Sequence, residues 1–150
     1  MKLFIGLGNP DKKYENTRHN VGHLLISRLE PSKCYLKSDT YMNESGLFVQ
    51  KQIHFYKIEA SDLYLIHDDL DLPVGEWRLQ FDRGPAGHHG VESVIQHLGT
   101  QAFWRIRIGI GKPEKIPVEK YVLQPFSAEE KKQIDEVIDT IIGEIKKLGH

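Results

Sequence analysis

The residues best suited to chemistry lie in the run Gly6-Leu7-Gly8-Asn9-Pro10, continued after six residues by Thr17-Arg18-His19-Asn20-Val21-Gly22. His19 stands between a polar loop and an apolar helical stripe. An imidazole has an ordinary pKa near 6.5, so it can take a proton from water near neutral pH. Three other polar groups fall where sites in open α/β sheets gather, outside the carboxyl ends of strands. Asn9 follows the first apolar run, Asp68 follows Leu63–Ile66, and His88-His89 lie in a glycine-flanked loop. Asn43 joins them from the start of a helix. Singly, each has a plain structural role: Asn9-Pro10 as a turn, Asn43 or Ser45 as a cap, Asp68-Asp69 as a turn before Pro73. Together they form a constellation expected to converge on one cleft.

The elements that must position them read as follows. Leu3–Leu7 is a short buried strand ended by Gly8, Asn9 and Pro10. Val21, Leu24, Leu25 and Leu29 recur at helical spacing until Pro31. Tyr35–Tyr41 reads as a strand, and a helix from Asn43 carries Val49, Ile53 and Tyr56 on one face. Leu63–Ile66 is a buried strand that delivers His67-Asp68-Asp69. Trp77, Leu79 and Phe81 alternate with Arg78 and Gln80, marking a strand with one wet face. Val91, Val94, Ile95 and Leu98 stripe a helix. Trp104, Ile106, Ile108 and Ile110 alternate with Arg105 and Arg107, which puts both arginines on a wet face. Ser127 and Glu130 form a capping-box pattern before a last helix striped by Ile134, Val137, Ile138, Ile141, Ile145 and Leu148. Alternating strands and helices give an α/β class, a single domain over residues 1–150.

Composition narrows the function classes. The chain has 150 residues, 39% hydrophobic and 27% charged, which suits a globular core. With 20 Lys plus Arg against 21 Asp plus Glu, any RNA contact rests on a local basic patch, not a global field. A single cysteine, Cys34, excludes an intrachain disulfide and any metal-type Cys spacing; without a histidine partner it is expected to be inert. The N-terminus is too short in apolar residues for a secretory signal, and a cytoplasmic protein is the expectation.

These residues also carry a resemblance. The run from Gly6 to Gly22, with Tyr14, resembles the opening signature of bacterial peptidyl-tRNA hydrolases. Thr40-Tyr41-Met42-Asn43-Glu44-Ser45-Gly46 resembles a second signature and His67-Asp68-Asp69-Leu70-Asp71-Leu72-Pro73-Val74-Gly75 a third. Gly87-His88-His89-Gly90 resembles a fourth, and Arg105-Ile106-Arg107-Ile108-Gly109-Ile110-Gly111-Lys112-Pro113 a fifth. Five motifs in the family's order are a specific signal.

The resemblance implies hydrolysis of the ester between a peptide and the terminal ribose of tRNA, by a cytoplasmic monomer without metal or organic cofactor. It implies a catalytic set of His19, Asp68 and Asn9. His19 would be the general base, and Asp68 would hold and orient its imidazole. Asn9 and Asn43 would hold substrate, and Asn43 would also donate to the oxyanion. Tyr14, Met42, His89 and Arg107 would complete the substrate and tRNA contacts, with Arg107 on a phosphate. Gln80 stands where the family commonly carries a basic partner for that phosphate, a gap that Lys112 or Arg83 would have to fill.

Two departures stand out. His89 replaces an asparagine usual in the family. A neutral imidazole can still donate one hydrogen bond and accept another, but it becomes cationic in acid. A positioning role for His89 therefore implies loss of activity at a higher pH on the acid side. The stretch Leu29–Thr40 is also shortened by about a hairpin, which implies a mostly parallel, twisted sheet with fewer strands than typical members. Two competing functions are a non-catalytic RNA-binding protein with the same fold and a metal-dependent hydrolase using His19, His67, Asp68, His88 or His89. No His-Glu-x-x-His spacing supports the second.

Overall fold

A computed structural model describes residues 1–149. Its first strand, β1 (Leu3–Gly6), is buried at every position. A tight 3-10 turn over Arg18–Asn20 runs directly into helix α1 (Val21–Ser27). Strand β2 (Tyr35–Lys37) pairs in parallel with β1. The strand expected over Tyr35–Tyr41 is therefore only three residues long. β2 is an edge strand whose sole neighbour, β1, ends at Gly6; the backbone N–H of Ser38 makes the last bond, to Gly6 O at 3.0 Å.

The helix expected from Asn43 opens as a separate 3-10 turn, Met42–Glu44, and α2 spans Ser45–Tyr56. The Asn9 side chain takes the N–H of Met42, and Ser45 Oγ donates to Met42 O at 2.6 Å, so side chains occupy groups a continuous helix would use. Strand β3 (Leu63–Asp69) is buried throughout and includes Asp68 and Asp69 within its ladder. Strand β4 (Trp77–Phe81), helix α3 (His89–Leu98), strand β5 (Trp104–Gly109), the single turn α4 (Val118–Tyr121) and the long α5 (Ala128–Leu148) complete the chain. The capping box at Ser127 and Glu130 is present as its sequence pattern indicates.

The five strands lie in the order β2-β1-β3-β5-β4, all parallel except β4. One face packs on α1 and α5, with Phe4, Leu25, Ile66, Ile108, Ile138 and Ile141 fully or almost fully buried. The other face carries Leu3, Ile5 and Leu65, packed with Val49 of α2 and Val94 of α3. Each such aliphatic side chain contributes about 1.5–3 kcal/mol on burial. From β1 the chain goes to β2 on one side and on to β3 on the other. That reversal opens a crevice at the carboxyl ends of β1 and β3, where a doubly covered sheet can hold a ligand.

The wet face expected for Arg105 and Arg107 does not exist. β5 lies between β3 and β4, and both arginines are buried. Arg105 stacks its guanidinium 3.6 Å from the Phe103 ring centroid and donates to the carbonyls of Phe103, Gln101 and Arg83. Arg107 donates through Nε to Asp69 Oδ2 at 2.7 Å and through Nη1 to Gln80 Oε1. Strand alternation predicts that two residues share a face, not that the face meets water.

Candidate active site

His19 reaches the crevice because α1 lies hard against the sheet at its first turn. A Cβ on Gly22 would sit 2.5 Å from Ile66 O and 2.7 Å from Leu7 O, so only glycine permits this approach. The 3-10 turn before it then delivers the imidazole to the end of β3. His19 Nδ1 and Asp68 Oδ2 are 2.8 Å apart. Asp68 Oδ1 is engaged as well, 2.8 Å from His88 Nε2. His88 Nδ1 accepts the N–H of Val91 at 3.2 Å, which caps α3. An accepting Nδ1 carries no proton, so the proton of a neutral His88 sits on Nε2 and is donated to Asp68. By the same logic His19 donates Nδ1–H to Asp68, leaving the Nε2 lone pair for the cleft.

The charges follow from this geometry. Burial alone would lower the pKa of His19; the charge of Asp68 and its hydrogen bond outweigh that, and the pKa is raised above 6.5. Burial opposes ionisation of Asp68, but the two histidines hold its carboxyl well below the usual range. His67 behaves differently. Burial, reinforced by neighbouring His88, pushes it down to about 3. It donates Nδ1–H to Asp68 O at 2.8 Å, and its ring meets that of His88 edge-on at 4.9 Å.

Asn9 is braced on both sides. Its backbone N–H donates to Asn20 Oδ1, and Asn20 Nδ2 donates back to Asn9 O, each at 2.9 Å. Asn9 Oδ1 accepts the Met42 N–H at 2.8 Å, which leaves its NH2 as the group for the cleft. The cleft holds about 550 Å³ and is lined by Asn9, His19, Met42, Asn43, Asp68 and His89, among others. Such a volume suits a nucleotide-sized ligand.

Six of the eight residues singled out from the sequence thus meet at one cleft. Tyr14 and Arg107 do not line it. Tyr14 sits in a separate turn whose carbonyl accepts the Thr17 hydroxyl, and Arg107 is held under the cleft floor by Asp69. Three features escaped sequence reasoning. His88, not His89, turns inward to the carboxylate; adjacent histidines in a loop carry no signal of which turns in. Asn20 lies within the motif Thr17-Arg18-His19-Asn20-Val21-Gly22, and its carboxamide is the natural brace for a loop. The segment 118–126 walls the cleft with Val118, Glu119, Val122 and Leu123, and nothing in its composition announces that.

His19, Asp68 and His88 also have the proximity of a metal site, their ligand atoms lying within 4.8 Å of one another. The Val91 bond argues against it. A metal on His88 Nε2 would force the proton onto Nδ1, facing the Val91 N–H donor to donor.

Comparison with known proteins bears on the family and the fold. The model for the peptidyl-tRNA hydrolase family matches residues 3–34 and 28–150, two segments that meet at the short connection between α1 and β2. The chain is 44% identical to the peptidyl-tRNA hydrolase of Aquifex aeolicus over 162 aligned positions, covering 92% of this chain and 84% of that protein. It is 44% identical to that of Geobacillus thermodenitrificans, covering 92% and 87%. An alignment longer than the 150-residue chain means that these relatives carry internal residues this chain lacks. Among solved structures, peptidyl-tRNA hydrolase from Acinetobacter baumannii superposes with a TM-score of 0.88 at 31% identity, covering 97% of this chain and 87% of that one. By fold, by motif order and by identity over most of its length, this chain belongs to the peptidyl-tRNA hydrolase family.

Proposed function

We propose that the protein hydrolyses the ester bond of peptidyl-tRNA, with His19 as general base. One observation carries the chemistry: an imidazole bonded through Nδ1 to a buried carboxylate, at the edge of a cleft with its other nitrogen unengaged. A water positioned by His19 Nε2 gives up a proton to it and attacks the ester carbonyl. Asp68 stabilises the resulting imidazolium. The NH2 groups of Asn9 and Asn43 supply donors for substrate and developing oxyanion. Collapse breaks the bond to the ribose oxygen, which takes the proton back from His19; the products are a peptide carboxylic acid and tRNA with a free hydroxyl. General-base catalysis of this kind contributes typically ~10²–10⁴-fold. A preorganised donor contributes roughly 10²–10³.

Met42 is buried against α3 and forms the apolar floor beneath the reacting end. His89, at the first position of α3, takes a substrate-positioning role. Contact of Arg107 with a phosphate would require its bonds to Asp69 and Gln80 to open, and a role for Tyr14 rests on the family motif alone. A monomeric state rests on the family motifs alone. No helix among the described residues is long and apolar enough to cross a membrane.

The test is release of labelled peptide from peptidyl-tRNA by wild type and by His19→Ala. Wild type should turn over and the variant should lose on the order of 10²–10⁴ in rate. Binding of tRNA without release by wild type would mean an RNA-binding module, in which a buried acid–imidazole pair has no use.

A further inference from the structure

Arg18 precedes the proposed base, yet its side chain points away from the cleft and makes more contacts than any catalytic scheme asks of it. Its guanidinium lies 3.9 Å from the ring centroid of Tyr121, with Phe126 further off at 5.9 Å. Nη1 donates to Tyr121 O at 3.1 Å and to Gln124 Oε1 at 3.2 Å; Nη2 donates to Glu130 Oε1 at 2.9 Å. That same Glu130 oxygen accepts the N–H of Ser127 in the capping box of α5. The backbone repeats the connection. Arg18 N–H donates to Gln124 O at 3.0 Å, His19 N–H donates to Val122 O at 2.8 Å, and Thr17 bridges to Pro125. Tyr121 Oη ties the far side to Ile110 O, just past the end of β5, at 2.6 Å.

All these bonds end on the strap of residues 118–126, or at the cap just beyond it. The strap contributes Val118, Glu119, Val122 and Leu123 to the cleft. Val118 and Leu123 are 42% and 43% exposed, so they present apolar surface to the cleft. The strap holds one helical turn, too short to be stable by itself. Its position is set from outside, and Arg18 is the charged side chain that grips it at three points. A planar, five-donor fork that also stacks on a ring is a role lysine cannot fill.

We propose that Arg18 is a positioning residue: it fastens the strap to the turn that carries His19, so that the cleft wall and the base are seated as one unit. The inference rests on the reading of His19 as the base. Loss of the grip should let the strap lift, water enter behind the imidazole, and the base lose its fixed approach to the ester. The groups facing His19 are Asp68 from β3 and His88 from the turn before α3, with Glu119 on the strap and Asp69 and His89 lining the same cleft. Only the strap's share of the burial changes in an Arg18 variant. Burial lowers the His19 pKa, so wetting raises it, and the acid limb of kcat/KM moves to higher pH.

The test compares wild type with Arg18→Lys and with the milder Tyr121→Leu, which removes the stacking plane and the bond to Ile110. Ile141→Val, which trims the core under α5 away from the cleft, serves as control. Three quantities are read: kcat and KM for peptide release, melting temperature, and the His19 titration followed by NMR, which needs no turnover. Both grip variants should lose roughly tenfold or more in kcat and titrate His19 at higher pH, while Ile141→Val melts lower with kcat and titration unchanged. Grip variants that melt lower yet keep wild-type kcat and the wild-type His19 titration would overturn the proposal. If Arg18→Lys does not fold, Tyr121→Leu decides by the same criteria. Absence of hydrolysis by wild type would instead count against the assigned activity, and the NMR titration would still report whether the strap seats His19.

Discussion

His88 and His89 are neighbours in the chain with opposite fates. The loop before them carries two consecutive residues with left-handed backbone, Ala86 at φ 47° and Gly87 at φ 80°. That turn aims His88 back at β3 and sends His89 out along α3. His88 then serves two structures at once, capping α3 with one nitrogen and holding Asp68 with the other. His88→Asn separates these duties, because asparagine caps well but is too short to reach the carboxylate. It should keep the fold and cost about 1–3 kcal/mol by stranding a buried acceptor, measured by denaturant unfolding. Asp68→Asn acts on the proposed base. It removes both effects that raise the His19 pKa and leaves burial, which lowers it. The acid limb of the pH–rate profile should therefore move to lower pH. The rate should fall on the order of 10²–10⁴ as orientation and imidazolium stabilisation are lost. An acid limb that stays in place would show that the limb reports another group. At His89 the comparison is with His89→Ala. A substrate-positioning imidazole lining the cleft predicts a higher KM for the variant with the fold intact, and an unchanged KM would exclude the role.

At the scale of elements, β5 shows what a strand pattern can and cannot say. Alternation correctly placed Ile106 and Ile108 on the face toward α1 and α5. It said nothing about Arg105 and Arg107 on the other, because burial depends on neighbours distant in sequence. Their register partners on β3 are Leu65 and His67, already under α2 and α3. The chain compensates by giving each guanidinium carbonyl, amide or carboxylate acceptors. The Arg107–Asp69 pair is 8% and 7% exposed at its side chains, so removing one partner strands a buried charge. Asp69→Ala should destabilise the fold by about 3–5 kcal/mol, read as a lower denaturant midpoint with unchanged m value. A loss below about 1 kcal/mol would mean that water reaches Arg107 in the folded state. β2 and α4 are hard to read from sequence for a related reason: a three-residue strand and a single helical turn carry too little periodicity, and both depend on what holds them.

At the scale of the molecule, the site arises where the order of strands reverses. β1 hands Asn9 and the His19 turn to one side of the crevice, and β3 brings Asp68 to the other. The shortened connection between α1 and β2 lies at the sheet edge and leaves that crevice intact. Hydrolysis by an imidazole–carboxylate pair needs no ion, so treatment with a strong chelator should leave the rate of peptide release unchanged. Loss of activity restored by added divalent metal would revive the metal reading of His19, Asp68 and His88. The sequence by itself determined the α/β class, most helix and strand positions and the residue types gathered at the cleft, because apolar spacing and motif order are local properties. Only the tertiary structure decided that His88 shares Asp68 with His19, that Arg107 faces its own aspartate, and that Arg18 grips the cleft wall. Those contacts join residues 20 to 112 positions apart, and no local pattern can encode which distant partner a side chain will meet.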